Sequence, residues 1–256
     1  MPVFTLSKRL SFPPAHMAIR EGLLAVGGDL CVDRLVLAYR KGIFPWYSPG
    51  APILWWSPDP RLVLFPNELK ISRSLKKLIH QHRFRITLDV NFEAVIRACA
   101  ETPRAYGSGT WITPEMKAAY CALHRHGYAH SVEAWQDGTL VGGLYGVVMG
   151  RVFFGESMFT RVSNASKVAF VMLVEHLRKL DFALVDCQVK TDHLMRFGAR
   201  EISRKRFLEI LSTAIDDNTG AADSVTPPVF SLFFDSPSHA FTDRRKGNPA
   251  GGRPDD

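Results

Sequence analysis

The segment from 130 to 156 constrains the fold most, because it holds three strand-like runs separated by two tight turns. The runs cover 130–135, 139–148 and 151–156, and the connections are Gln136-Asp137-Gly138 and Met149-Gly150. Strands joined by so few residues pair antiparallel. The sequence therefore predicts an antiparallel meander at the centre of the chain.

Helical patterns surround this meander. Thr113 before Pro114 is a favourable helix start, because a threonine oxygen can accept from a free N–H and proline suits the first turn. Further elements are predicted as helices over 71–79, 164–180, 192–197 and 203–214, and as a strand over 183–189. The expected fold class is α/β (α+β), with a mostly antiparallel mixed sheet.

The two ends of the chain differ in composition from its middle. The first sixty residues are rich in Pro, Gly and Trp, which predicts turns around one helix over 32–41 rather than a sheet. We therefore expect a small N-terminal domain over 1–62 and a catalytic domain over 63–216. The segment 217–256 is rich in Gly, Pro, Asp, Asn and Ser, which predicts a largely flexible C-terminal extension.

Composition excludes several classes of protein. Among 256 residues, 46% are hydrophobic and 22% are charged, which is typical of a globular protein. The apolar runs are shorter than the roughly 20 residues that span a bilayer, and no signal peptide precedes them, so we expect a cytoplasmic protein without membrane contact. Four scattered cysteines without a C-x-x-C pair predict reduced thiols and no metal site.

Positive charge is concentrated in one segment. The chain carries a formal net charge of +7, which favours a polyanionic partner. Between 70 and 85 there is no acidic residue, and the basic residues are Lys70, Arg73, Lys76, Lys77, Arg83 and Arg85. On a helix the first four would oppose an apolar stripe. A merely solvated face usually mixes Glu with Lys, so the pattern favours contact with an RNA backbone.

Tryptophans in loop-like sequence add a second feature of nucleic-acid binders. Trp55 and Trp56 are most simply interpreted as plugs of the core. Trp46 follows Phe44-Pro45 and Trp111 follows Gly109-Thr110, and both are candidates for stacking on an unpaired terminal base.

Polar side chains interrupt the predicted strand over 183–189. Alternation places Asp186 and Gln188 on one face, and Glu156 at the end of an earlier strand could reach the same cleft. A solvent-exposed sheet face is the alternative interpretation. No G-x-S-x-G segment predicts a serine nucleophile, and the residues before 164 lack the glycine-rich loop of a coenzyme A acyltransferase.

The chain resembles one known family, the leucyl/phenylalanyl-tRNA protein transferases, from its N-terminus to about residue 211. The motifs that carry the resemblance are Gly27-Gly28-Asp29-Leu30, Tyr39-Arg40-Lys41-Gly42-Ile43-Phe44-Pro45-Trp46, Trp55-Trp56-Ser57-Pro58-Asp59-Pro60-Arg61, Gly109-Thr110-Trp111-Ile112-Thr113, Phe154-Gly155-Glu156-Ser157-Met158-Phe159, Asn164-Ala165-Ser166-Lys167 and Asp186-Cys187-Gln188. The resemblance implies a small N-terminal domain plus a GNAT-like C-terminal domain.

The resemblance also implies an activity and its partners. Leu, Phe or Met would pass from aminoacyl-tRNA to a protein or peptide with N-terminal Arg or Lys, which marks that protein for degradation. No metal and no soluble cofactor are expected, and we expect a monomer.

The family's functional residues fall on identifiable positions of this sequence. Trp46 and Trp111 would hold the terminal adenosine. The pocket for the transferred side chain would be lined by Leu144, Phe153, Leu173, Leu177 and Val185, and the reaction centre would comprise Glu156, Asp186 and Gln188.

The donor in such a reaction is an activated ester, so orientation of the attacking amine is expected to dominate, contributing on the order of 7–11 kcal/mol. Asp186 is the expected proton acceptor and Gln188 the residue that orients the amine. Glu156 and Asp186 would also attract a cationic acceptor terminus. A coenzyme A-dependent acetyltransferase and a tRNA-binding module without catalysis remain as alternatives.

Overall fold

The computed structural model describes residues 3–102 and 111–216, which form helices packed on two sheets. The helices are α1 Val32–Arg40, α2 Arg73–His80, α3 Phe92–Glu101, α4 Pro114–Arg125, α5 Ala165–Lys179, α6 Asp192–Met195 and α7 Arg204–Asp216. The strands are β1 Phe4–Leu6, β2 Leu23–Gly27, β3 Phe44–Pro45, β4 Leu54–Trp56, β5 Arg61–Leu64, β6 Arg85–Leu88, β7 Ala129–Gln136, β8 Thr139–Met149, β9 Val152–Thr160, β10 Leu184–Gln188 and β11 Arg200–Ile202.

The larger sheet has seven strands in the order β11-β5-β10-β9-β8-β7-β6. Its neighbours pair antiparallel except β9 and β10, which are parallel and are connected through α5. The predicted meander is confirmed as β7-β8-β9. The predicted α/β class with a mostly antiparallel mixed sheet is therefore confirmed as well.

The N-terminal region contains a second sheet, so the prediction of turns around one helix was wrong. Its strands follow the order β1-β2-β4-β3 and are two to five residues long. Strands this short show no clear alternation in sequence. Pro45 is tolerated because β3 is an edge strand, where a missing N–H costs no pairing inside the sheet. The predicted helix is present as α1.

Local capping rules predicted the start of α4 correctly, but the start of α2 was not predicted. The Thr113 hydroxyl accepts from the Met116 N–H, and Pro114 occupies the first helical position of α4. The Ser72 hydroxyl accepts from the Leu75 N–H, so α2 begins at Arg73. Lys70 therefore lies before the helix rather than on it.

Both faces of the large sheet are covered by apolar side chains. One hydrophobic cluster packs under α5, and the other joins the N-terminal sheet to α3, α4 and α7. Buried Trp55 and Phe207 belong to this second cluster although they lie far apart in sequence. The predicted boundary after residue 62 falls inside β5, and the division into domains stays a prediction. The predicted extension 217–256 lies outside the described residues.

Within residues 3–102 and 111–216, no helix has the length and apolar character that a membrane span requires. The same residues contain no group of three His, Cys, Asp or Glu side chains arranged to hold a metal ion.

Candidate active site

A β-bulge in β9 positions Glu156. Tyr145 of β8 pairs with Ser157, whereas the next residue, Gly146, pairs with Gly155, so Glu156 is the extra residue of the bulge. Gly146 is needed opposite the bulge, because a Cβ there would lie 2.2 Å from the carbonyl oxygen of Phe154. Because of the bulge, the Glu156 side chain points in a direction that regular alternation of side chains along β9 would not give it.

A second irregularity lies in the neighbouring strand β10. Asp186 pairs with Val63 and Gln188 with Leu62, so Cys187 is an extra residue, and Gln188 has a φ of 63°. The pairing of β9 with β10 extends to Asp186 and Phe154. Beyond that pair, side chains from both strands line a common cavity.

The cavity has a volume of about 340 Å³, in the range of small-molecule sites. Its apolar lining includes Leu144, Phe153, Phe170 and Val185, and its polar lining includes Glu156, Gln188, Ser157, Thr191 and His193. Trp46 and Trp111 also border it. The site thus combines an apolar recess with a few polar groups and two large aromatic rings.

Glu156 accepts hydrogen bonds from three side chains. Tyr39 and Gln188 donate to Oε1 at 2.8 and 2.9 Å, and Tyr120 donates to Oε2 at 2.9 Å. The hydroxyl oxygens of Tyr39 and Tyr120 are also in contact, and because each has one proton, one can donate to the other only when it does not donate to Glu156. Burial raises the pKa of Glu156 to about 7; the tyrosine and Gln188 hydrogen bonds oppose this shift, and the nearby Asp186 charge adds to it. The carboxyl group can therefore exchange a proton near neutral pH.

Asp186 lies beside this cluster in a buried ion pair with Arg61. The Arg61 Nε and Nη2 atoms donate to the two Asp186 oxygens at 2.7 and 2.6 Å, and both side chains are inaccessible to solvent. The guanidinium also lies 4.8 Å from the ring centre of Phe44 and 4.5 Å from that of Phe207. The Gln188 N–H donates to Asp186 Oδ1 at 3.0 Å. Asp186 thus holds the backbone of Gln188 and is not among the cavity-lining residues.

No role was predicted for Arg61, although Arg61 ends one of the motifs that carry the family resemblance. A buried carboxylate requires a partner, and that requirement was the available signal. Tyr39 and Tyr120 were missed because tyrosines on helices usually signal core packing. Their hydroxyls converge on Glu156 only through tertiary structure.

The predicted amino-acid pocket is brought together in part. Leu144, Phe153 and Val185 line the cavity. Leu173 and Leu177 are fully buried in the same hydrophobic cluster, but the described cavity lining does not include them. Phe170, one helical turn before Leu173, lines it instead. The resemblance therefore indicated the buried face of α5 but not which of its residues line the recess.

The two proposed stacking residues lie at the cavity in different environments. Trp46 is 44% exposed, and its ring centre lies 5.9 Å from that of Trp56. Trp111 packs partly against the core. Trp55 is fully buried and donates to the Gly27 carbonyl, in agreement with its interpretation as a plug.

The six basic residues are exposed, but they occupy three kinds of position. Arg73, Lys76 and Lys77 lie on α2, Arg85 begins β6, and Lys70 and Arg83 lie just outside α2. The prediction that Lys70 belongs to the helix face was wrong, because the Ser72 cap starts the helix later.

Comparisons with known proteins agree with these features. Residues 63–212 match the family model described as leucyl/phenylalanyl-tRNA protein transferase, and residues 28–59 match the model of its N-terminal domain. A leucyl/phenylalanyl-tRNA protein transferase of Syntrophobacter fumaroxidans is 62% identical over 217 residues, covering 85% of this chain and 93% of that protein. The enzyme of the same name from Pseudomonas fluorescens strain Pf0-1 is 61% identical over 209 residues, covering 81% of this chain and 92% of that protein.

Similarity to solved structures is much weaker. The structure of L-PGS from Bacillus licheniformis has a TM-score of 0.39 and 8% identity, covering 75% of this chain and 73% of that chain. The family models, by contrast, match strands of both sheets and include the residues around the cavity. The chain therefore belongs to the leucyl/phenylalanyl-tRNA protein transferase family and is an aminoacyltransferase.

Proposed function

We propose that this enzyme moves Leu, Phe or Met from aminoacyl-tRNA to the N-terminal Arg or Lys of acceptor proteins, which marks them for degradation. The observation that carries the proposal is the cavity, in which an apolar recess adjoins the Glu156 carboxyl group and two tryptophans. The enzyme would act as a monomer in the cytoplasm, where charged tRNA is available.

The recess is suited to an apolar side chain of the donor. Leu144, Phe153, Phe170 and Val185 offer no hydrogen-bonding side chain at its apolar wall. A polar aminoacyl side chain would lose hydrogen bonds to water without replacement, which disfavours it. Leu, Phe and Met differ in shape by small apolar volumes, and a methylene in such a pocket is worth only about 1–3 kcal/mol. One cavity can therefore accept all three.

The tryptophans are suited to the terminal adenosine. A base offers a flat π-face, and stacking on an aromatic side chain is worth about 1–3 kcal/mol per base. Trp46 presents a half-exposed ring at the cavity, and Trp111 contributes a second ring. We propose that these two rings hold the adenosine and so place the ester bond near Glu156.

The chemistry requires a neutral amine at the ester carbonyl. The amine lone pair attacks the carbonyl carbon, the C–N bond forms and the C–O bond to ribose breaks. The nitrogen loses one proton, and the departing ribose oxygen gains one. Glu156, with a pKa of about 7, is matched to an α-amino group whose pKa is about 7.7–8.0, so it can take the first proton and return it.

Gln188 and Asp186 have different parts in this proposal. Gln188 lines the cavity and donates to Glu156, so it can orient both the carboxylate and the incoming amine. Asp186 acts through Gln188, because both of its oxygens bind Arg61 and one also accepts the Gln188 N–H. We therefore propose Glu156 rather than Asp186 as the proton acceptor, and Asp186 as a positioning residue.

The charges of Asp186 and Glu156 also affect binding of the cationic acceptor. The Asp186 charge is compensated by Arg61, whereas Glu156 borders the cavity. We propose that ionised Glu156 attracts the positively charged terminus. The six exposed cations between Lys70 and Arg85 would bind the tRNA backbone at the same time, so binding should weaken as salt rises.

A transfer assay tests the proposal. Labelled leucine on its tRNA would be offered with peptides that begin with Arg, Lys or Ala and are otherwise identical. We expect label on the Arg and Lys peptides and little on the Ala peptide. Equal labelling of all three would refute the acceptor preference, and no labelling of any of them would refute the activity.

A further inference from the structure

A second cavity lies beside the first and is lined by cations. It has a volume of about 440 Å³. The charged residues of its lining are Lys70, Lys77, Lys167 and Arg196, and Ser72, Ser74 and Asn164 are among the neutral polar ones. This lining contains three lysines and one arginine but no Asp or Glu. A recess of this charge is suited to an anion.

The cations of the second cavity are not neutralised by acidic side chains of the described residues. Lys70, Lys77 and Arg196 take part in no salt bridge between described residues, and Lys167 donates to the neutral Asn164 side chain at 3.0 Å. Like charges held together cost energy unless a counter-charge joins them. Their grouping is therefore explained by a bound anion better than by stability.

Two helices direct their N-terminal turns at this cavity. Ser72 and Ser74 come from the start of α2, and Asn164 and Lys167 come from the start of α5. The N-terminus of a helix carries a partial positive charge and free N–H groups, which favour phosphate. The serine hydroxyls and the Asn164 amide add neutral hydrogen-bond donors. The cavity thus provides the donors and charges that a phosphodiester requires.

His193 connects the two cavities. It lines both of them, and its Nε2 atom is buried without a hydrogen-bond partner among the described residues. Burial lowers the pKa of His193, and the charges of Lys167 and Arg196 lower it further, so these cations act on its ring. A ligand that extends from the first cavity to the second would pass this ring.

We propose that the second cavity binds a phosphodiester group of the RNA strand whose terminal aminoacyl-adenosine occupies the first cavity. The inference rests on the function proposed above. It assigns Lys167, Arg196 and His193, which lie outside the basic segment 70–85, to the RNA-binding surface. The strand would be held at its last nucleotides by a stacked base on one side of α6 and a backbone phosphate on the other.

Two probes separate the cavities. The first is 3′-amino-3′-deoxyadenosine that carries phenylalanine through an amide, which has no phosphate and cannot react. The second is the same compound extended at its 5′ side by two cytidines, which adds two phosphodiesters. The variant Lys167→Gln/Arg196→Gln would be compared with Lys179→Gln, which removes a charge from α5 about 18 Å along the helix from Lys167.

We expect the double variant to bind the trinucleotide about tenfold more weakly, because charged hydrogen bonds to phosphate are lost. The salt dependence of log Kd should fall by about 0.7 for each phosphate contact removed. Binding of the adenosine probe should be unchanged, and Lys179→Gln should change neither. If the double variant does not match the thermal stability of the wild type, Lys77→Gln on exposed α2 provides the same comparison.

Other outcomes would overturn the inference. Equal weakening of both probes would mean that the cations support the first cavity only. Unchanged trinucleotide binding would mean that no phosphodiester lies there. Inorganic phosphate tests a further alternative. It could bind the wild type but not the double variant, without displacing the adenosine probe, while the trinucleotide binds no more tightly than the adenosine probe. That result would mean that the second cavity binds free phosphate rather than RNA. Failure of the wild type to bind the adenosine probe would instead refute the proposed function.

Discussion

Glu156 is a carboxyl group whose protonation is linked to its hydrogen-bond network. Ionised, it accepts from Tyr39, Tyr120 and Gln188. Protonated, it must donate once, and the contact between the two tyrosine hydroxyls allows this, since Tyr120 can turn to donate to Tyr39. The network can therefore take up or release a proton without a buried group losing its partner.

The raised pKa of Glu156 predicts a pH-dependent stability. The folded state holds this proton more tightly than the unfolded state, so the contribution is present below the unfolded value near 4.5 and is lost as pH rises through about 7. Relative to Glu156→Gln, the wild type should lose about 1–3 kcal/mol of unfolding free energy between pH 5 and pH 8. The expected loss is a range because water in the cavity can partly solvate the Glu156 carboxyl group. Urea denaturation at both pH values measures the difference.

A matched control is Glu209→Gln on α7, whose carboxyl group is half exposed. This variant should follow the wild type at both pH values. A difference between wild type and Glu156→Gln that does not change with pH would contradict the assignment. Glu156→Gln should also reduce the transfer rate, because an amide cannot accept the amine proton.

Variants of the buried pair of Arg61 and Asp186 should change stability and transfer activity separately. Arg61→Leu leaves the Asp186 charge buried without a cation, which should cost about 3–5 kcal/mol. Replacing both residues in Arg61→Leu/Asp186→Leu removes the isolated charge and should restore most of that stability. Transfer should stay slow in the double variant, because the Gln188 N–H has lost its acceptor.

Denaturation midpoints and steady-state kinetics measure the two effects. We expect kcat to fall in the double variant while KM for the charged tRNA changes little, because the recess and the tryptophans are intact. Wild-type kcat in a stable double variant would show that the buried pair serves the fold alone.

At the scale of single elements, the sequence predicted what depends on local rules. The cap at Thr113 and the short turns around β8 act within a few residues, and both were predicted correctly. The N-terminal sheet was not predicted, because its strands are too short to show a period. The bulges at Glu156 and Cys187 were also hidden, since they arise from register between strands.

Because of the β9 bulge, we expect one methyl group added at Gly146 to reduce stability strongly. Gly146→Ala places a Cβ 2.2 Å from the Phe154 carbonyl oxygen, and backbone cannot move away as a side chain can. We expect a loss of about 1–3 kcal/mol or more and a weaker transfer activity, because Glu156 is displaced. Gly155→Ala is the control for stability, because its Cβ would only touch the Asp186 carbonyl at 3.5 Å. Equal denaturation midpoints for the two variants would contradict this account.

At the scale of the whole molecule, one hydrophobic cluster joins the N-terminal sheet to α7. Phe207 is fully buried, contacts Arg61 and lies where a side chain at Gly42 would be. Phe207→Ala should therefore cost about 3–5 kcal/mol. Because the cluster is shared, we expect both sheets to unfold in one transition.

Urea denaturation followed by tryptophan fluorescence and by far-ultraviolet circular dichroism tests this expectation. Three of the five tryptophans lie within the first sixty residues, so fluorescence mainly reports the N-terminal sheet. The two signals should change together in the wild type and in Phe207→Ala. Lys205→Ala on the exposed face of α7 should leave the midpoint unchanged. Separate transitions would show that the two sheets are independent.

The Glu156 cluster takes Tyr39 from α1, Tyr120 from α4 and Gln188 from β10. A ribosome releases these segments one after another, and the last of them follows most of the chain. A nascent chain that still lacks β10 therefore lacks the Gln188 contact to Glu156, the proposed proton acceptor. On that proposal, we expect efficient transfer only after the chain has been synthesised beyond Gln188 and has folded.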